Sequence, residues 1–152
     1  MMDSWFMMKK EWDIGDRFPV SPERVLSAFA TIQKEIGSSW FEEKKKTGSG
    51  KSLIVLEAVR TGEAIAAARK IGAHKLLQDL LLYWKPERFG AALSEADVIV
   101  KLLPWSDKIE YEREMDGMSR KPDLLQYVGR TQAQYEVFCP DISAEDILPH
   151  FF

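Results

Sequence analysis

Along the first two thirds of the chain, apolar residues recur three and four positions apart; in the last third they alternate with charged ones. The first period is that of helices with one buried face, the second that of half-buried strands. Ser21-Pro22-Glu23 predicts a helix start, with Ser as cap, Pro at the first turn and an acid at the positive end of the dipole. Val25, Leu26, Phe29, Ile32 and Ile36 give its apolar stripe, and Gly37 its stop. The polar, glycine-containing stretch 38–52 predicts a loop at its centre. Periodicity resumes at Leu53, Leu56 and Val59, with an interruption expected at Thr61-Gly62, and a separate alanine-rich helix is expected from Glu63 to Ile71. A further helix covers His74 to Trp84, with Leu76, Leu77, Leu80, Leu81 and Trp84 on one stripe and Pro86 as terminator. Ser94, with Asp97 three residues on, predicts the cap of another helix that carries Ala96, Ile99, Val100 and Leu103 and closes at Pro104.

Beyond Pro104 the period drops to two. Ile109, Tyr111 and Met115 alternate with Glu110, Glu112 and Glu114. Asp116-Gly117 and Gly129-Arg130 predict turns, Pro122–Val128 a second strand and Gln132–Cys139 a third. The reading is α+β and a single domain. Helices fill about residues 1–104, a three-stranded antiparallel meander about 107–140, and a short helix about 143–150.

Composition narrows the function classes. The 152 residues are 45% hydrophobic and 30% charged, an ordinary folded chain. No apolar run approaches the roughly 18–20 residues of a membrane span, and Met1–Asp13 has the wrong order of charges for a signal peptide. It is expected to be a local hydrophobic anchor. Cys139 stands alone, so no intramolecular disulfide forms, which suits a reducing, cytoplasmic setting. Net charge is −3, without a global basic footprint. Ten acidic and five basic residues lie in 105–152, leaving fourteen acidic and sixteen basic before them. The strand-forming part thus carries the acidic excess.

Thr47-Gly48-Ser49-Gly50-Lys51-Ser52 has the tail of a phosphate-binding loop. Lys45 stands where that motif needs glycine, and a charged stretch stands where it needs a buried strand. It reads as a flexible basic loop, in which Lys44, Lys45, Lys46 and Lys51 could at most touch phosphates. His74 and His150 lack ligand spacing, and Cys139 lacks a base.

The remaining candidate is the run from Ser119 to Asp141. Pro122-Asp123-Leu124-Leu125, followed after a turn by Tyr135-Glu136-Val137-Phe138-Cys139-Pro140, resembles the PD-(D/E)xK phosphodiesterase superfamily over the last third to two fifths of the chain. The helix through Ser94 and the strand from Ile109 fall in that family's order. The resemblance implies a partial restriction-endonuclease-like core, with Asp123 and Glu136 as ligands of Mg²⁺ or Mn²⁺ and Glu95 as a third acid. Phe138 occupies the position of the family's lysine, for which Lys121 or Lys101 could substitute, and the core would need a further helix and strand. The implied function is a nuclease-fold protein, degenerate or weakly active, binding nucleic acid with a divalent metal. The alternative is a non-catalytic, homodimeric assembly module, suggested by the apolar ends Trp5–Met8 and Ile147–Phe152 and by a meander with two open edges.

Overall fold

The computed structural model describes residues 2–112 and 122–137, with side chains from Ser4 onward. Among these, α1 (Met2–Trp12), α2 (Pro22–Glu35), α3 (Ser39–Lys46), α4 (Lys51–Lys70), α5 (His74–Leu81) and α6 (Pro86–Leu102) come first. A short 3-10 turn, Leu103–Trp105, leads to β1 (Lys108–Tyr111), β2 (Leu124–Val128) and β3 (Thr131–Tyr135). The strands form an antiparallel sheet in chain order. The fold is α+β, with the sheet after the helices. The expected turn at Asp116-Gly117, Lys121, Phe138, Cys139 and the helix at 143–150 lie outside the described residues. No helix among the described residues is long and apolar enough to cross a membrane.

The caps act where the chain's own chemistry is strong. Ser21 accepts the Arg24 N–H, Pro22 opens α2, and Gly37, at φ +108°, closes it with its N–H on the Ile32 carbonyl. Gly129, at φ +57°, supplies the first central residue of the two-residue β2–β3 turn.

Tertiary packing corrects four expectations. The stretch 38–52 is mostly the helix α3, because Trp40 and Phe41 are buried among Trp12 and Phe29; the loop shrinks to 47–50. Thr61-Gly62 does not interrupt α4, which runs unbroken for 20 residues with both positions buried. α6 starts at Pro86 rather than Ser94, which lies inside it and donates its hydroxyl to the Gly90 carbonyl. α5 ends at Leu81, leaving Trp84 60% exposed instead of in the apolar stripe.

Two hydrophobic clusters result. One joins α1, α2, α3 and the first half of α4 around Trp12, Phe29, Ile32, Trp40 and Val55. The N-terminal segment anchors there through Trp12, with Trp5 and Met8 alongside, while Phe6 and Met7 stay exposed. The other joins the second half of α4, α5, α6 and the sheet around Ile65, Leu76, Leu80, Ile99 and Leu124. Gln126, buried in the sheet, donates to the Ser106 hydroxyl and accepts from the Tyr135 hydroxyl, each at 2.7 Å, so its amide is satisfied where the last helix meets the sheet.

Candidate metal centre

Pairing of Tyr111 with Leu124 ends the β1–β2 ladder one step before Glu112 and Asp123. The Glu112 N–H donates to the Asp123 carbonyl at 2.9 Å, so the two acids sit side by side at the end of the sheet. Glu112 has φ +46°, the left-handed region that costs a side-chain-bearing residue free energy. On α6, Ala92, Ala96 and Ile99 form the buried stripe, and Glu95 shares that stripe at helical spacing. It therefore reaches the same place from the helix side. One carboxylate oxygen each from Glu95, Glu112 and Asp123 lies within 4.8 Å of the others.

The supporting contacts are specific. Asp123 Oδ2 accepts the Val137 N–H at 2.8 Å, which orients the carboxylate from the strand β3 side. Glu95 Oε2 is buried without a hydrogen-bond partner. The Glu95 carboxyl titrates above the ordinary carboxylate range, first because it is buried, then because Asp123, Glu112 and Asp79 repel its charge; hydrogen bonding with Tyr111 works in the opposite direction. The same burial, with Glu95 and Glu112 beside it, pushes the Tyr111 phenol upward, so it stays a neutral donor. Lys75 on α5 approaches Glu112 at 3.8 Å, with its side chain 75% exposed, and offers only weak, screened compensation.

Of the residues singled out from sequence, the structure brings Asp123 and Glu95 together. Glu136 is exposed, between Tyr135 and Val137, which both pack on the helical side, and is not among the converging carboxylates. Lys121 lies outside the described residues. Lys101 is exposed on α6 and belongs to a different surface, described below. Glu112 is hidden in the Glu110/Glu112/Glu114 alternation, which reads as a solvated strand face; the strand register and its bond to the Asp123 carbonyl set it beside Asp123, with a positive φ at that point. The glycine-rich loop is no phosphate cradle of the strand–loop–helix kind, because α3 rather than a strand precedes it. Two of its expected phosphate contacts are engaged elsewhere: Lys44 pairs with Glu57 over the Trp40 ring, and Lys45 with Glu11 over the Trp12 ring.

The raised Glu95 titration has a definite stability consequence. Between the ordinary carboxylate value and the raised folded value, the folded state binds more protons than the unfolded one. Stability therefore falls as pH rises through that window and stays lower above it. Glu95→Gln is expected to flatten this fall and to raise the thermal midpoint at neutral pH in metal-free buffer. Melting curves between about pH 4 and pH 8 test it, since that span starts near the ordinary carboxylate range and extends well above it. Parallel pH profiles for the two proteins would remove Glu95 from the account.

Comparison with known proteins leaves this geometry to stand by itself: no protein-family model, no curated protein and no solved structure matches the chain.

Proposed function

We propose that the chain is a nuclease-fold protein that holds Mg²⁺ or Mn²⁺ between Glu95, Glu112 and Asp123 and engages a phosphodiester of nucleic acid there, with hydrolysis weak or lost. The observation that carries this reading is the convergence of three carboxylates, one of them with a buried, unpartnered oxygen. Three like charges at this spacing repel, and a divalent cation with hard oxygen preference offsets them. Bonds of about 2.0–2.6 Å hold opposed oxygens some 4–5 Å apart, a span these side chains already satisfy. The donor set therefore fits the ion. When bound, the ion would supply Lewis-acid polarisation of a phosphate oxygen and a more acidic water.

The chain's own groups have separate tasks. Val137 N–H and the Tyr111 hydroxyl fix the Asp123 and Glu95 carboxylates, much as outer groups orient ligands in known metal sites. Supporting the phosphodiester part of the reading are Pro122-Asp123 before the middle strand and the helix–strand–strand–strand order. Position 138 carries phenylalanine where the resemblance calls for the family's lysine, which is why hydrolysis is placed at weak or absent.

Calorimetric titration with Mn²⁺ tests the proposal. The natural chain should bind saturably, Asp123→Ala should lose at least about tenfold in affinity, as ligand-shell changes commonly do, and excess Mg²⁺ should compete. Binding without cleavage of single- or double-stranded DNA or RNA would mark a site that retains the ion and has lost the chemistry. Absence of saturable binding by the natural chain would overturn the reading and leave the non-catalytic assembly module as the better description.

A further inference from the structure

Away from the carboxylates, the helical layer leaves an open trough. α2 and α6 both pack on α4, and between them the exposed side of α4 forms its floor. Two adjoining cavities, about 300 Å³ and about 200 Å³, share Glu63 and Val100 and so make one groove. Its floor runs along α4 from Leu56 to Lys70, about 21 Å at 1.5 Å per residue. The floor positions Leu56, Val59, Glu63, Ala66 and Lys70 recur at three- and four-residue spacing, so the groove follows a helix axis. Where it is widest its exposed lining is small, Ser27 from α2 and Ala66 from α4, while Ala28 and Gly62 are buried against each other beneath it. Small side chains on a floor of this kind let the backbone of another helix approach within ordinary packing distance. Val100 of α6, with Leu103 and Pro104 of the 3-10 turn that follows it, makes the opposite wall apolar.

The rim decides what would fit. Arg24 is ion-paired with Glu63, and Arg60 with Asp97, so these four charges cancel along the groove. Lys70 and Lys101 lie at the rim exposed and without an ion-pair partner among the described residues. The surplus charge is positive. No lining residue is aromatic, so the groove offers no platform on which bases could stack.

We infer that this groove is a docking surface for an acidic amphipathic helix of a partner protein, whose seam of small apolar residues lies on α4 while its flanking carboxylates meet Lys70 and Lys101. The mode is a helix laid into a hydrophobic groove and read by anchors at i, i+3, i+4 and i+7. The groove shares no residue with the carboxylate cluster, so this inference does not depend on the cation.

A displayed library of helical peptides, screened against the full chain in chelator so that no cation contributes, tests it. Enriched peptides should place Asp and Glu beside a small-residue seam. Their affinity should fall roughly tenfold or more for Ala66→Arg, which fills the floor with a long cation, as expected for loss of a central contact. The control Ala66→Ser should retain binding, and Lys70→Glu with Lys101→Glu should shift selection away from acidic peptides. Circular dichroism melts establish that each variant is folded. No enrichment, enrichment without acidic bias, or binding indifferent to Ala66→Arg would overturn the inference; displacement of peptides by oligonucleotides at the same groove would assign it to nucleic acid instead.

Discussion

Trp40→Ala is expected to lower the unfolding free energy by about 3–5 kcal/mol, the usual cost of emptying a fully buried aromatic site. Trp40 is 0% exposed and meets Phe41 edge-on at 5.1 Å. Phe41 in turn packs at 4.8 Å from Phe29 and 5.9 Å from Trp12. The aromatic group is what docks α3, whose sequence is otherwise charged. Without it, the remaining helical preference of eight residues is too little to hold a helix in water. Trp40→Phe separates packing from polarity. The indole Nε1 is buried without a partner, so losing that N–H removes a desolvation cost and offsets part of the lost volume. Phenylalanine should therefore be milder than alanine by a wide margin. Denaturant titrations measure both. An alanine variant within about 1 kcal/mol of the natural chain, at unchanged slope, would show that α3 is not docked as described.

The second large effect is expected at Gly62, with a sign opposite to helix propensity. In an exposed helix interior, glycine to alanine gains about 1 kcal/mol. At position 62 a Cβ would stand 2.7 Å from the Ala28 carbonyl oxygen and 2.8 Å from its Cα and Cβ. Two of those atoms are backbone and cannot rotate away. Gly62→Ala must push α2 and α4 apart, so a net loss of about 1–3 kcal/mol is expected, and Gly62→Val should lose more. Thermal and denaturant unfolding of the pair read this directly; stabilisation by Gly62→Ala would mean that the two helices do not cross at this distance.

These two positions also show where sequence reasoning succeeds and where it stops. α2 was legible because Ser21, Pro22 and Gly37 are local devices that act on their own few residues. The first strand is legible from alternation; the second and third are legible from the proline and turn residues that bound them, since Leu124, Leu125 and Gln126 are all buried and do not alternate. α3 was not, because Glu42 to Lys46 reads as solvent-facing whatever Trp40 and Phe41 do, and their burial depends on Trp12 and Phe29, distant along the chain. Gly62 read as a break for the same reason: a glycine demanded by a helix crossing looks, in one dimension, like a glycine that ends a helix. Ser94 reads as a cap until its hydroxyl is found bonded inside α6. The candidate centre was half legible. Asp123 and Glu95 came from a resemblance of motif and order. Glu112 needed the backbone at the end of β1, whose left-handed turn no side-chain pattern encodes.

The long helix α4 has a consequence for how the molecule comes apart. Ile54, Val55, Ala58 and Val59 belong to one hydrophobic cluster, and Ala64, Ile65, Ala67 and Ala68 to the other. One uninterrupted hydrogen-bonded rod is thus the shared beam of both halves. Fraying it at either end exposes apolar surface in one half and leaves the middle turns without support for the other. The halves are coupled through that rod, so damage at Trp40 should be felt by the sheet as well as by α3. In the same denaturant titration, tyrosine signals from Tyr111, Tyr127 and Tyr135 would then fade together with helical ellipticity, as a single cooperative event and not in two stages.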